Sequence, residues 1–198
     1  MYDEPMPPDA TETKRRLREA AVAEFAAHGL AGARIDRIAE SAAANKRSIY
    51  MHFGSKEELF DKVVGDTFLE LAASIPFTED HLIGYAGDLF DRLEKWPHIR
   101  RLYLWAGLER EQSFEPEVAG YRARVVAIAA AQKAGKLRAD IPPAELMAMV
   151  IGVVISWDSA AWSLKALQPE FGFADRAGRR AAVVSAVTGL LQSPRSGS

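Results

Sequence analysis

IDRIAESAAANKRSIYMHFGSKEELF, residues 35–60, reads as two short helices meeting at a turn. Ile35, Ile38, Ala39 and Ala42 recur at three- and four-residue spacing and share one helical face, which leaves Asp36, Arg37 and Glu40 on the other. Asn45 is placed to cap a second helix starting near Lys46, its side-chain oxygen accepting a free backbone N–H, and Ile49 and Phe53 give that helix an i, i+4 apolar pair. With those two in the core, Lys46, Arg47 and Ser48 project outward from the helix start, where N–H groups and cationic side chains both favour phosphate. Phe53-Gly54 ends the helix. Ser55 then stands three residues ahead of Glu58 in the pattern of a capping box, opening a longer helix through Leu59, Phe60, Val63 and Val64. The whole is the layout of a DNA-reading helix-turn-helix.

Upstream, residues 13–28 (TKRRLREAAVAEFAAH) place Leu17, Ala20, Ala21 and Phe25 on one face and stop at Gly29, which predicts the first helix of a three-helix head. The formal net charge of −2 hides a division along the chain: residues 13–56 hold nine basic and four acidic side chains, so the head is basic and the remainder acidic. Neutralising phosphates releases counterions and supplies affinity for nucleic acid. The alternative for the basic run at 14–18 is a solvated first helical turn.

Residues 13–64 resemble the tetracycline-repressor (TetR) family of bacterial transcription regulators. The resemblance is carried by the first helix ending at His28-Gly29, the block IDRIAESAAANK, the pair Ile49-Tyr50, Phe53 and SKEELF. It implies a reading helix in the major groove with Asn45, Lys46, Arg47 and Ser48 near its start, and phosphate contacts from Tyr50, His52 and Lys56. Arg34 and Lys14 of the basic head complete the candidate DNA contacts. The chain departs from the family pattern at Ala43, often Gly, at Ala44, often a larger aliphatic residue, and at Ala33, often Thr. Ala43 suits the turn if its φ stays negative, and Ala33 offers no capping hydroxyl.

The pattern beyond the head predicts helices throughout and no strand: one from Lys56 to about residue 74, where Pro76 interrupts, then residues 79–95, 98–113, 116–135, 143–167 and 174–192. The expected organisation is all-α. It comprises a disordered arm over 1–12, a helix-turn-helix DNA-binding domain over 13–62, a ligand-binding and dimerisation domain over 63–192, and a disordered tail over 193–198. LMAMVIGVVISW is apolar on nearly every side and AGRRAAVVSAVTGLL is rich in small apolar residues, so each helix needs more than one apolar neighbour. A homodimer in which both pair with their twofold copies meets that need, as the resemblance implies; burial within one subunit is the alternative. Phe68, Phe90, Trp96, Tyr103, Trp105, Met147, Trp157 and Trp162, with Glu109 and Asp158 on otherwise apolar helices, are the candidate lining of a small-molecule site. Plain core packing is the competing reading.

Several function classes find no support. The chain has no Cys, which removes disulfides and thiolate chemistry. His28, His52, His81 and His98 are dispersed, and no HExxH, GxSxG, P-loop or GxGxxG pattern occurs, so neither an enzyme, a metal site nor a cofactor is expected. The longest apolar run, about 12 residues, falls short of the roughly 20 that span a bilayer, and the N-terminus lacks an apolar signal core. A cytoplasmic protein without a membrane partner is expected. The sequence thus reads as a DNA-binding transcriptional regulator. By resemblance it is a repressor that binds a near-palindromic operator in double-stranded DNA as a homodimer and is released by an apolar or aromatic small-molecule effector. A helical small-molecule-binding or interaction protein without a DNA role is the alternative; it accounts for the Trp-rich body but not for the basic head.

Overall fold

The computed structural model describes residues 10–78, 81–110, 112–173 and 175–192. The expected arm lies outside the described residues up to position 9, and the expected tail lies wholly outside them. Among the described residues there are twelve helices and no strand. They fall into two compact units: the chain up to Phe68 together with Arg101–Phe114, and Leu69–Arg100 together with Glu115 onward.

The first unit contains α1 (Ala10–Gly32), α2 (Ile35–Ser41), α3 (Lys46–Phe53), most of α4 (Lys56–Ala73) and most of α6 (Pro97–Glu109). Residues 10–12, expected in the arm, already belong to α1, because Glu12 accepts hydrogen bonds from Arg15 one turn later. The apolar face read from the sequence is the core: Leu17, Phe25, Ile38, Ile49 and Phe60 are buried, with the Phe25 and Phe60 rings edge to face at 5.0 Å. This unit is larger than the three helices expected over 13–62, since α6 supplies Leu102 and Ala106 to its buried side chains.

Gly29 breaks α1 with φ 66°. A Cβ there would come within 2.7 Å of the Trp105 ring and of the Glu109 carboxylate, so the close approach of α6 demands glycine. The backbone groups freed by the break are taken up by α6. Arg101 donates to the carbonyls of Ala26 and Ala27, and the Glu109 carboxylate accepts from the N–H groups of Leu30 at 2.6 Å and Ala31 at 3.0 Å.

In the second unit α5 (Leu82–Lys95) packs on α8 (Pro143–Val154) and α12 (Arg176–Leu191), and α7 (Glu115–Lys133) lies against α8. Leu89, Ile128, Leu146, Val150 and Val187 are among its buried side chains. The single helix expected over 143–167 is broken. α8 stops at Val154, and α9 (Ser156–Ser159), α10 (Trp162–Lys165) and α11 (Gln168–Phe171) follow as single turns. Ser159 Oγ donates back to the carbonyls of Ile155 and Ser156, and Ala160 and Ala161 take extended backbone angles. Short polar side chains compete with the helical ladder in this way, and apolarity alone does not reveal it. No helix among the described residues is long and apolar enough to cross a membrane.

Candidate nucleic-acid interface and effector cavity

The turn between α2 and α3 is closed by backbone: Ala44 N–H donates to Ala39 and Ala43 N–H to Glu40, the paired bonds of a Schellman motif. Ala43 sits at its left-handed position with φ 48°, so the condition under which alanine suits the turn is not met; both hydrogen bonds require the reversal. Asn45 caps α3, accepting from Ser48 N–H at 2.9 Å and from the Ser48 hydroxyl at 3.2 Å. Ser55 and Glu58 form the expected reciprocal box: Ser55 N–H donates to the Glu58 carboxylate at 2.7 Å, and Glu58 N–H to Ser55 Oγ at 3.1 Å. Ile49 and Phe53 are buried, whereas Lys46, Arg47 and Tyr50 are exposed.

The cations differ in how free they are. Among the described residues Arg47, Lys14 and the Arg34 guanidinium have no side-chain partner. Lys46 pairs with Asp36 at 2.5 Å, Lys56 Nζ donates to the Ala33 carbonyl at 3.4 Å, and the His52 ring lies edge-on to Phe53. Much of the basic run at 14–18 is answered within the unit: Arg15 is held by Glu12 and Glu19, Arg16 approaches Glu12, and Arg18 approaches Asp66. Lys14 is the member of that run with no side-chain partner among the described residues.

Sequence reasoning missed the side chain that joins α1 to α2. The Glu24 carboxylate accepts from Arg34 N–H at 2.8 Å, the first residue flanking α2, and from Arg37 Nε at 2.8 Å. Burial alone would push its pKa up, but the hydrogen bonds from Arg37 and Arg34 prevail and hold it below the usual carboxylate range. Its partners lie 10 and 13 residues away, beyond any helical spacing.

In the second unit a cavity of about 390 Å³ opens between α5, α8, α9 and α12. Of the ten candidate lining residues it collects Phe90, Trp157 and Asp158. Four others belong to the first unit and are engaged there: Phe68 packs on Tyr103 with ring centres 5.7 Å apart, Trp105 covers Gly29, and Glu109 closes the α1 break. Met147 is core, Trp96 lies beneath Arg92, and Trp162 is 84% exposed beside Lys165. A count of aromatics marks which side chains are large, not which helix faces meet.

The cavity also takes in residues the sequence did not single out: Glu94, Arg100, Phe173 and Arg179. Arg179, Ala182 and Val183 share a face of α12 by their three- and four-residue spacing, the one signal that could have grouped them. Arg100 donates to Glu94 and stands 3.3 Å from Asp158, and burial pushes the Asp158 carboxyl up in spite of Arg100.

Residues 17–63 match the family described as bacterial regulatory proteins, tetR family, and residues 81–188 match the tetracyclin repressor-like C-terminal domain. Among similar proteins is the HTH-type transcriptional repressor SCO4008 of Streptomyces coelicolor, 37% identical over 187 residues, which span 92% of this chain and 97% of that one. A stretch of 55 residues is 44% identical to the HTH-type transcriptional repressor NicS of Pseudomonas putida, over 28% of this chain and 26% of NicS. The crystal structure of SCO4942 from Streptomyces coelicolor superposes with a TM-score of 0.80 at 32% identity, covering 92% of this chain and 99% of that one. The chain belongs to the tetR family of bacterial regulatory proteins and is a DNA-binding transcriptional regulator.

Proposed function

We propose that the chain is a cytoplasmic repressor that holds a near-palindromic operator as a homodimer and leaves it when a small molecule occupies the second unit. The observation that carries this reading is α3: an Asn45-capped helix whose buried face is Ile49 and Phe53 and whose outer face presents Lys46, Arg47 and Tyr50. An arginine there has the planar fork that reads guanine O6 and N7, and Asn45 and Ser48, already bonded to each other, fix the helix start. Lys14, Arg34, His52 and Lys56 are assigned to phosphates, which position the head without specifying sequence.

Two readers in successive major grooves need half-sites about 34–36 Å apart, hence two copies. The exposed faces of α8 and α12 suit a twofold pairing. They carry Ala148, Met149 and Gly152 on one helix and Ala181, Ser185 and Gly189 on the other, and a Cβ at Gly152 or Gly189 would meet nothing within 4 Å. α4 and α6 each run from one compact unit into the other, so both are continuous paths by which an effector in the second unit biases the head. A coupling of about 1–3 kcal/mol changes operator affinity roughly 5–150-fold.

The test is selection of bound duplexes from a random library, followed by affinities of variants on the selected site and a scrambled control. Arg47→Ala is expected to cost about 1–3 kcal/mol on the selected site alone. Lys56→Ala is expected to weaken both duplexes alike and flatten the salt dependence. Equal losses on both duplexes for Arg47→Ala remove the base-reading assignment, and failure to select any two-half-site motif removes the operator reading.

A further inference from the structure

α12 begins with three arginines whose fates differ. Arg176 and Arg180 both bind the Asp91 carboxylate. Arg179, the one that reaches the cavity, has no hydrogen bond or ion pair among the described residues. Across the cavity the other charges form a closed set, with Arg100 serving both Glu94 and Asp158. Asp158 feels the charge of Arg179, yet the two stand too far apart to pair.

A guanidinium left unanswered in a half-enclosed space is unfavourable unless water or a ligand completes it. The remaining wall is largely apolar, with Phe90 and Trp157 near Val154 and Val183, and Phe173, 52% exposed, at its edge. A volume of about 390 Å³ lies within the range of small-molecule sites. Resting on the effector reading above, we propose that this cavity binds an aromatic monocarboxylate, with Arg179 taking the carboxylate and Phe90, Trp157 and Phe173 enclosing the ring.

The charges select this class. A cation finds both carboxylates already taken by Arg100. A dianion such as a phosphate monoester brings a second negative charge toward Glu94 and Asp158, two carboxylates sharing one guanidinium. A monocarboxylate matches the planar fork of one arginine in a bidentate pair, and an aromatic body gains offset or edge contacts with the surrounding rings.

The experiment is isothermal titration of the full-length protein with three probes that share one ring system: 2-naphthoate, 2-naphthamide and 2-naphthylmethylammonium. Naphthoate is expected to bind at least tenfold tighter than the other two. Arg179→Gln is expected to lower naphthoate affinity at least tenfold while changing the amide by less than twofold, and Arg179→Lys to retain part of the preference. An unchanged thermal melt of both variants establishes that they remain folded. Equal binding of the three probes, preference for the ammonium, no binding of naphthoate, or naphthoate affinity unaffected by Arg179→Gln each overturns the proposal. Operator release is read separately on the same samples. Arg179-dependent binding without release keeps the cavity assignment and rejects the effector reading, whereas release that ignores Arg179 does the reverse.

Discussion

The two compact units differ in how completely they are finished within a single chain. In the first, nearly every helix end and turn is closed by a named partner: Asn45 on α3, Ser55 and Glu58 on α4, Glu24 at the start of α2, and Arg101 and Glu109 on either side of the α1 break. In the second, the connection from α8 to α12 leaves Trp162, Leu164, Leu167, Phe171 and Phe173 exposed within 12 residues, Trp162 and Phe171 at 84% and 80%. The head is thus built to hold a fixed shape against an external polyanion. The second unit leaves apolar surface exposed within one chain, a feature that suits the proposed pairing of two copies.

The largest effect expected from this contrast comes from the head's own core. Phe60 is fully buried against Phe25, so Phe60→Ala should lower stability by about 3–5 kcal/mol, seen as a lower urea midpoint. Phe171→Ala, at an exposed ring, should change unfolding of the isolated subunit by no more than about 0.5 kcal/mol. Sedimentation then tells what the exposed ring does: a raised dimer dissociation constant for Phe171→Ala assigns the segment to subunit pairing. Similar losses of stability for the two variants would erase the contrast.

Next in size is Glu24. Its carboxylate is nearly enclosed and holds both Arg37 and the Arg34 N–H, so Glu24→Gln should cost about 1–3 kcal/mol. Because the folded pKa lies below the unfolded one, near 4.3, this contribution is fully present above that pH and is lost as pH falls through the folded value. Stability measured from pH 7 to pH 3 should therefore fall less steeply in Glu24→Gln than in the native chain. Parallel pH profiles would mean that the α1–α2 junction is held by packing rather than by this charge.

The same division governs what the sequence reveals. Asn45 with Ser48 and Ser55 with Glu58 are legible because capping acts over three residues, and the Ile49–Phe53 pair because it acts over four. Glu109 is not: its partners Leu30 and Ala31 stand 79 and 78 residues away, and on its own helix it reads only as a charge on an apolar face. The run at 14–18 looks like a free basic patch until Glu12 is known to be helical, since helix formation is what brings Glu12 beneath Arg15 and Arg16. In the second unit the break after Val154 and the meeting of Arg179 with Trp157 depend on which faces pack together, which composition does not encode.

The smallest effect sharpens the comparison at a place where the backbone of the head carries strain. Ala43 occupies the left-handed position of the α2–α3 turn, which costs an L-residue about 1–2 kcal/mol relative to right-handed backbone. Glycine removes that cost but makes the unfolded chain more flexible, a penalty of about 0.4–1 kcal/mol. The first term is the larger, and both Schellman hydrogen bonds survive the change because they involve backbone alone. Ala43→Gly is therefore expected to stabilise the protein by roughly 0.5 kcal/mol, raising the urea midpoint at constant slope and leaving operator affinity unchanged. A lower midpoint means that the turn is unstrained with alanine. A higher midpoint with weaker operator binding means that alanine's stiffness serves to hold α3 at its angle, and then the head's finish extends to this strained residue.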